Sequence, residues 1–366
     1  MRVAFLGSRG IPASYGGNET FFEELALGLV EYGASEVIVY CRSAYYDSRP
    51  ANYQGVYLVY IPVPRIKAME SLLHSFLSSI HVLGQKVDVV YFVDPANAPF
   101  CLLLRIFGRK VVLHTNGLGW KRSKWGPLAR RYYKFTEWLC ARTAHALVTD
   151  NPVMTEYYRK EYGTDSFYIP FGAGNRYGID ETVHEHLGLV PDRYLLVVAR
   201  LEPENNTALI VKEYVRSRLE MPLVIVGDSP YDSGFLAHLQ NLANVNVLFV
   251  GRINDQEKLN ALYKGAYLYI HGHEVGGTNP SLLRAMQAGA APVVIDVPFN
   301  ISVIGGAGIV FNRDPGNLSN LLRRLMSNPE EVKEVGAKAQ AHVEKNFTWV
   351  KVVKYHELLF HKVAGN

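Results

Sequence analysis

The segment 271–286, with the sequence HGHEVGGTNPSLLRAM, contains the residue types best suited to binding an anion. It follows an apolar run at 266–270, which predicts a buried strand. It then passes through Gly276 and Gly277 and enters a helix at Asn279, whose next residue is proline, the arrangement typical of an N-cap. The glycines let the main chain approach a ligand closely, and the N-terminal end of a helix favours negative charge. The segment therefore predicts a phosphate or diphosphate site between a strand and a helix.

Length and composition predict a globular protein of two domains. The chain has 366 residues, 48% of them hydrophobic, which is enough for two cores at about 150 residues per domain. The sequence contains no apolar stretch of the roughly 18 residues that a membrane span requires, and it begins with a strand pattern rather than a signal peptide. Cys41, Cys101 and Cys140 lie far apart in apolar segments, which predicts buried, reduced thiols in a cytoplasmic protein. A net charge of +4 is too small to favour a nucleic-acid partner.

Strand and helix patterns alternate along both halves of the chain. The alternation reaches residue 169, pauses over the glycine-rich and polar stretch 171–191, and restarts at 194. Such alternation predicts βαβ units and parallel sheets with helices on both faces. We therefore predict an α/β fold with two doubly wound Rossmann-like domains, at 1–175 and 190–346, and a ligand cleft at the carboxyl ends of the sheets.

Apolar stripes predict the buried faces of two helices. In the helix at 348–363 the stripe consists of Trp349, Val352, Val353, His356, Leu359 and Phe360. In the helix near 128–143 it consists of Trp125, Leu128, Tyr132, Phe135 and Leu139.

Gly16 and Gly17 come after the first strand and open a helix, so their amides suit a phosphate. The alternative is a plain loop in which glycine supplies a positive φ. The sequence at 7–10, GSRG, is not a dinucleotide fingerprint, and a Walker A loop is absent. Arg200 ends a strand, where its guanidinium can bind diphosphate oxygens or pair with Glu202 or Glu204.

His271, His273 and Glu274 lie at the end of the strand before the paired glycines. Two histidines at positions i and i+2 without a third matched ligand favour hydrogen bonding over metal binding. Glu274 could supply a carboxylate to the site, and the alternative is that it is a loop acid facing solvent.

A basic, aromatic segment lies at 120–134. Its cations are Lys121, Arg122, Lys124, Arg130, Arg131 and Lys134. They suit an anionic membrane surface or a lipid diphosphate acceptor, and a solvated helix face is the alternative. Nucleic acid is less favoured, because no recognised binding module accompanies the segment.

Several motifs in combination resemble the retaining glycosyltransferases of family four. These are the glycine pair at 16–17, ARLEPENN at 199–206 and GGTNPSLL at 276–283. The sequences GSRGIP at 7–12, HGH at 271–273 and EPENN at 202–206 look like the rhamnosyltransferase-like branch. The resemblance extends from residue 1 to about 365.

The resemblance implies the GT-B fold, with an acceptor-side domain at 1–175, a donor-binding domain at 190–346 and a C-terminal helix, 348–366, that packs back on the first domain. It implies transfer of a sugar from a nucleotide diphosphate to a hydroxyl acceptor, with retention at the anomeric carbon and without a required metal or other cofactor.

By the same resemblance, the diphosphate is bound by Arg200 and by the amides of Gly276, Gly277, Thr278 and Asn279. A lysine that usually joins them is Asn205 here. The resemblance places His273 and Glu274 near the donor sugar. It also places Asp94 and Asn97 at donor-sugar contacts, although both could be loop caps.

Three family acids are replaced in this chain. Asn116 and Gly119 stand for an Asp and a Glu on the acceptor side, and Arg284 stands for a Glu that accepts hydrogen bonds from the ribose. Arginine only donates hydrogen bonds. A deoxyribose donor, an Arg284 contact with phosphate or a neighbouring acid, and an impaired site remain alternative explanations.

The leading hypothesis is a cytoplasmic retaining glycosyltransferase that extends a polysaccharide or lipid-linked oligosaccharide, with dTDP-L-rhamnose as the preferred donor. Peripheral contact with the inner face of an anionic membrane through 120–134 is an accompanying hypothesis. The alternative function, motivated by the replaced acids, is a non-catalytic protein that binds nucleotide sugars or glycans.

Overall fold

The computed structural model describes residues 1–13, 16–32, 35–66, 69–122, 125–174, 176–229 and 233–365. The chain divides into two compact units, and each is described by itself. The first consists of Met1–Gly172 together with Thr348–Asn366, and the second of Ala173–Phe347.

The first unit contains an eight-stranded sheet with the order β3-β4-β2-β1-β5-β6-β7-β8. All of its strand pairs are parallel except β3 with β4. The strands are β1 (Arg2–Leu6), β2 (Glu36–Arg42), β3 (Asn52–Tyr53), β4 (Val56–Ile61), β5 (Val89–Val93), β6 (Val111–Thr115), β7 (Ala146–Thr149) and β8 (Phe167–Tyr168). The helices between them are α1 (Gly17–Tyr32), α2 (Glu70–Leu83), α3 (Ala98–Ile106), α4 (Pro127–Thr143) and α5 (Pro152–Tyr162).

The second unit contains a parallel six-stranded sheet with the order β11-β10-β9-β12-β13-β14. The strands are β9 (Leu195–Val198), β10 (Leu223–Val226), β11 (Val247–Gly251), β12 (Leu268–His271), β13 (Ala291–Ile295) and β14 (Ile309–Phe311). The helices are α6 (Thr182–Leu187), α7 (Thr207–Ser217), α8 (Ser233–Leu242), α9 (Gln256–Lys264), α10 (Pro280–Gln287), α11 (Pro298–Ile304), α12 (Asn317–Met326) and α13 (Pro329–Asn346).

The predicted α/β class with doubly wound parallel sheets is confirmed. Central strands such as β5, β6 and β13 are buried along their whole length, as continuous apolar runs covered on both faces require. The three cysteines are free and buried, as predicted. Among the described residues, no helix is both long and apolar enough to cross a membrane.

Several elements of the structure were not predicted from the sequence. The stretch 171–191, predicted as a hinge, contains α6, and the second unit already begins at Ala173 rather than at 190. The hairpin of β3 with β4 and the short helix α11 were not predicted, because two-residue strands and seven-residue helices are too short to show a period.

The predicted core stripe of α4 is wrong. Leu128 is 82% exposed and Phe135 is 52% exposed, whereas Leu139 is buried. The helix instead buries Thr136, Cys140 and Thr143 beside Leu139. Both stripes repeat with the helical period, so periodicity could not decide which one faces the sheet.

The last helix, α14 (Trp349–Ala364), belongs to the first unit and packs on α1. Five residues of its predicted apolar stripe are buried: Val352, Val353, His356, Leu359 and Phe360. A Cβ built on Gly28 would lie only 2.4 Å from Cγ2 of Val353. Glycine at 28 therefore allows α1 and α14 to approach closely.

A buried hydrogen-bonded network also holds α14. The Tyr91 hydroxyl lies 2.7 Å from Nδ1 of His114 and 2.9 Å from Nε2 of His356. Nδ1 of His356 donates to the carbonyl of Val352, so Nε2 accepts from Tyr91, and Tyr91 in turn accepts from His114. Burial lowers the pKa of His356 to about 4, against the opposing effect of its bond to Val352.

We expect Gly28→Ala to destabilise the first unit by up to about 2 kcal/mol. Alanine stabilises an ordinary helix position by about 1 kcal/mol, but overpacking costs about 1–3 kcal/mol. Urea unfolding followed by tryptophan fluorescence measures this, because all four tryptophans lie in the first unit. In a Val353→Ala background the same change should become neutral or stabilising. An equal cost in both backgrounds would contradict the close approach.

We expect the first unit to lose stability as the pH falls from 6.5 towards 4, in part through His356. Its folded pKa lies below the ordinary 6.5, so the unfolded chain binds the extra proton first, at about 1.4 kcal/mol per pH unit. His356→Gln keeps a donor and an acceptor without titrating, and should flatten the slope of unfolding free energy against pH. His238→Gln, at an exposed histidine, is the control. Parallel slopes for wild type and His356→Gln would refute this.

Candidate functional site

The segment after β12 forms the predicted helix start. Oδ1 of Asn279 accepts a hydrogen bond from the Ser281 N–H at 3.0 Å and another from the Ser281 hydroxyl at 2.7 Å. The Tyr269 hydroxyl donates to that of Ser281 at 2.9 Å. The predicted N-cap is confirmed, and a side chain from β12 fixes it.

The paired glycines lie in half-exposed backbone next to this helix start. A Cβ built on Gly276 would meet no atom of the protein within 4 Å. Packing inside the chain therefore does not require glycine at 276, and the space beside it is open to a ligand. Thr278, by contrast, is 2% exposed and belongs to the packed base of the loop.

The loops after β9 and β12 are held together by hydrogen bonds. Nδ2 of Asn206 donates to the carbonyl of Gly272 at 2.7 Å and to the carboxylate of Glu274. The N–H of Glu274 donates to the carbonyl of Glu204 at 3.1 Å. Because of these bonds, the two segments that the sequence assigned to one site lie against each other.

The position of these loops in the sheet is the one that favours ligands. β9 and β12 are neighbours, and the strand order runs outwards from them in both directions. This is the topological switch point, where ligands of open α/β sheets bind beyond the carboxyl ends of the strands.

Arg200 lies in the loop after β9. Its guanidinium is 3.5 Å from the Glu202 carboxylate, the ion pair that the sequence offered as the alternative to diphosphate binding. The side chain is still 36% exposed. Asn205, at the position of the family lysine, donates through Nδ2 to the carbonyl of Arg200 at 2.7 Å and is buried. It therefore fixes the Arg200 backbone and does not supply a second cation.

His271 and His273 stack, with ring centroids 4.4 Å apart and planes at 15°. His271 is buried, and burial, followed by the charge of His273, holds its pKa well below the ordinary range. His271 is therefore neutral and supports the ring of His273, which is half-exposed. Among the described residues, no group of three or more His, Cys, Asp or Glu side chains is arranged to hold a metal ion.

Glu274 forms an ion pair with Arg313 in addition to its bond with Asn206. Arg313 follows β14, so it reaches the same sheet edge from a strand two places away from β12. This partner was not predicted, because only the strand order brings residues 274 and 313 together.

Arg284 is engaged with α9. Nη1 donates to Oε1 of Gln256 at 2.9 Å and Nη2 to Oδ1 of Asn260 at 2.6 Å, and the guanidinium lies 5.1 Å from the ring centroid of Tyr263. Asn260 in turn donates to the carbonyl of Gly178 at 3.0 Å. The cation thus connects α10 with α9 and the segment before α6.

In the first unit, Gly16 has φ +109°, and a Cβ there would lie 2.3 Å from Oε2 of Glu19. The conformation of the loop therefore requires glycine at 16 whether or not a phosphate binds there, which is the alternative that the sequence left open. Gly17 is the first residue of α1, and the next residue, Asn18, accepts a hydrogen bond from the side chain of Asn116. Asn116 follows β6, so this bond joins the start of α1 to the loop after β6.

Asp94 and Asn97 act as loop caps. Asp94 has φ +75°, and its Oδ1 accepts from the Ala96 N–H at 2.9 Å. Nδ2 of Asn97 donates to the carbonyl of Val93 at 2.7 Å. The pKa of Tyr133 is raised, mainly by the negative charge of Asp94 and to a smaller extent by burial.

The replacement at Gly119 has a local cause. A Cβ at 119 would lie 2.9 Å from the Tyr133 ring, so a glutamate there is incompatible with that ring position. The position of the Tyr133 ring therefore accounts for the absence of a larger side chain at 119.

Comparison with known proteins agrees with this division of the chain. Residues 180–342 match the family of glycosyl transferases group 1, and residues 1–174 match a domain of unknown function, DUF1972. The chain is 24% identical to the D-rhamnosyltransferase WbpZ of Pseudomonas aeruginosa, over 72% of this chain and 67% of that protein. It is 23% identical to the O-antigen chain mannosyltransferase C of Escherichia coli, over 95% of each.

Solved structures share the fold. Sucrose-phosphate synthase from Thermosynechococcus elongatus has a TM-score of 0.84 and 17% identity, covering 100% of this chain and 99% of that one. Anabaena HepE in complex with UDP has a TM-score of 0.75 and 14% identity, covering 99% and 100%. The chain therefore has the GT-B fold.

If the loop after β12 binds a diphosphate, Gly276→Val should weaken nucleoside diphosphate binding about tenfold or more without a loss of stability above about 0.5 kcal/mol. The added methyls enter open space, which is where the ligand would lie. Calorimetric titration and thermal unfolding measure the two effects. Gly126→Val, at another glycine with open space, is the matched control. Unchanged affinity in Gly276→Val would remove this loop from the site.

Proposed function

We propose that this chain is a group 1 glycosyltransferase and moves a sugar from a nucleotide diphosphate donor to a glycan acceptor with retention at the anomeric carbon. The observation that carries the proposal is the pair of hydrogen-bonded loops at the switch point of the second unit. They join Arg200, Gly276 and the start of α10 in a domain that matches the group 1 glycosyl transferases.

The diphosphate would be bound mainly by backbone amides. The amides of Gly276, Gly277 and Thr278 precede the capped start of α10, where the helix dipole favours an anion. Each hydrogen bond to a charged oxygen contributes about 1.5–3 kcal/mol. Arg200 adds one cation, and because Asn205 replaces the family lysine, the amides carry a larger share of the binding.

The chemistry would need positioning rather than a protein nucleophile. The leaving diphosphate can accept the proton of the acceptor hydroxyl on the same face, while the protein orients the two substrates and stabilises the charge that develops. We assign donor-sugar contacts to His273, which His271 supports, and to Glu274, whose carboxylate is oriented by Arg313 and Asn206. In the first unit we assign Asn116 to the acceptor side and Asp94 to a donor-sugar contact, each fixed by its own hydrogen bond.

The preferred donor is dTDP-L-rhamnose. Where relatives have a ribose-binding glutamate, this chain has Arg284. Its guanidinium donates to two amide side chains and has no acceptor for the ribose hydroxyls. A 2′-deoxyribose has no 2′-hydroxyl, so it loses fewer hydrogen bonds through this replacement than a ribose does. The rhamnosyl and O-antigen mannosyl transferases among the relatives support a polysaccharide or lipid-linked oligosaccharide as acceptor.

A panel of dTDP-L-rhamnose, GDP-mannose and UDP-glucose tests the proposal, each assayed with and without acceptor and in the presence of EDTA. We expect turnover fastest with dTDP-L-rhamnose, unaffected by EDTA, and a product whose anomeric configuration, read by NMR, matches the donor. Arg200→Ala should lower kcat/KM about tenfold or more, and Lys333→Ala, at an exposed cation of α13, should not change it. An inverted product would refute the retaining mechanism, and absence of nucleoside diphosphate binding at millimolar concentration would refute the whole proposal.

A second candidate function is a non-catalytic protein that binds nucleotide sugars or glycans. It is favoured by the replaced acids at Asn116, Gly119 and Arg284, and by the Tyr133 ring, which blocks a glutamate at 119. Binding of a donor without hydrolysis or transfer would support it, and any turnover that Arg200→Ala abolishes would exclude it.

Arg284→Glu separates an adapted site from a degraded one. If the arginine is adapted, we expect a loss of activity and about 1–3 kcal/mol of stability, because the amide oxygens of Gln256 and Asn260 lose their donors. Arg284→Gln is the control for the lost charge alone. A gain of activity with ribonucleotide donors in Arg284→Glu would show that the arginine impairs the site.

A further inference from the structure

Large apolar side chains are exposed on the outer side of three helices of the first unit. α2 exposes Phe76 and Ile80, α3 exposes Ile106, and α4 exposes Leu128 and Trp138. Soluble proteins rarely present neighbouring apolar groups of this size unless the surface binds something.

The exposed groups of α4 form one stripe. Leu128, Arg131, Phe135, Trp138 and Arg142 follow one another at intervals of three and four residues, which places them on one side of the helix. The rings of Phe135 and Trp138 stack with centroids 5.9 Å apart, and the Arg142 guanidinium lies 4.6 Å from the Trp138 centroid. We call these five residues the outer stripe of α4.

The three helices lie side by side on one face of the sheet. The rings of Phe76 and Phe100 are 6.3 Å apart and connect α2 with α3, and Arg105 of α3 donates to the carbonyl of Thr143 in α4 at 3.0 Å. These helices connect β4 to β5, β5 to β6 and β6 to β7, so all three crossovers run in the same direction across the sheet. Because such crossovers are right-handed, the three helices lie on one face. The connection through α1 leads in the opposite direction, which puts α1, and α14 packed on it, on the other face.

The charge of this region has one sign. Residues 95–136 contain no Asp or Glu and nine Lys and Arg: Arg105, Arg109, Lys110, Lys121, Arg122, Lys124, Arg130, Arg131 and Lys134. Lys124 lies outside the described residues. The one acid of α4, Glu137, is buried and accepts hydrogen bonds from Tyr157 and Tyr162.

We propose that the outer stripe of α4, with the adjoining exposed groups of α2 and α3, binds the surface of an anionic lipid bilayer. Tryptophan and arginine have an apolar body and a polar end, which suits the boundary between acyl chains and headgroups. The exposed charged side chains of α2, α3 and α4 are all cations, which makes these helices complementary to anionic headgroups, whereas the exposed acid Glu161 lies on the neighbouring helix α5.

This surface shares only Leu128 and Arg131 with the segment 120–134 that the sequence suggested. Lys134 donates to the Tyr157 hydroxyl and lies 4.2 Å from the Trp120 ring, and Tyr132 donates to the carbonyl of Ala96. These side chains are occupied within the unit. The lipid-facing groups extend instead to Arg142, and their role does not depend on the transfer reaction.

Sedimentation with vesicles tests the proposal, using phosphatidylcholine alone and phosphatidylcholine with phosphatidylglycerol. A cation at an anionic surface contributes about fivefold to partitioning, equivalent to about 1 kcal/mol. We therefore expect wild type to prefer the anionic vesicles, and Arg131→Glu/Arg142→Glu to reduce partitioning by about 100-fold or more. Phe135→Ser/Trp138→Ser should reduce it by about tenfold or more.

Matched controls separate this surface from net charge and general stickiness. Lys333→Glu/Lys338→Glu makes the same charge change on α13 of the second unit, and Tyr355→Ser/Leu358→Ser removes exposed apolar groups of α14 on the other face of the sheet. Both should bind vesicles like wild type. Equal loss in these controls, equal binding to neutral vesicles, or a stripe that closes a dimer in solution without binding vesicles would each overturn the proposal. Nucleoside diphosphate titration of the same variants should be unchanged, so a failure of lipid binding is distinct from a failure of the proposed reaction.

Discussion

The hydrogen bonds between the loops after β9 and β12 are the constraint on which the site depends. Asn206 bonds to Gly272 and Glu274, and Glu274 bonds back to Glu204. A Cβ on Gly272 would lie 2.4 Å from the carbonyl of Asn205, so the loops touch at their backbones. This contact sets the distance between Arg200 and the start of α10, the two elements to which we assign the diphosphate.

The departures from the family pattern make sense as parts of this framework. Asn205 is buried and fixes the Arg200 carbonyl, whereas a lysine there would bring a charge into the base of the loop. Gly119 makes room for Tyr133, and Arg284 joins α10 to α9. Asn205, Gly119 and Arg284 thus each have a structural role of their own.

The sequence predicted what repeats or has a local signature. The parallel sheets, the N-cap at Asn279 and the buried stripe of α14 are examples, because each depends on residues close in sequence. It could not predict the partner of Glu274 or the network of Tyr91, His114 and His356, because strand order and helix packing bring those residues together. It misassigned the stripe of α4, since two faces of that helix share the same period.

In the proposed site, backbone amides at 276–278 and the Arg200 guanidinium bind the diphosphate of the donor. Amide-resolved NMR of ¹⁵N-labelled protein titrated with dTDP tests it most directly. We expect the Gly276, Gly277 and Thr278 resonances to shift together with the same apparent affinity, and the shifts to be absent with thymidine alone. Saturable dTDP binding that leaves these three resonances unmoved would contradict it.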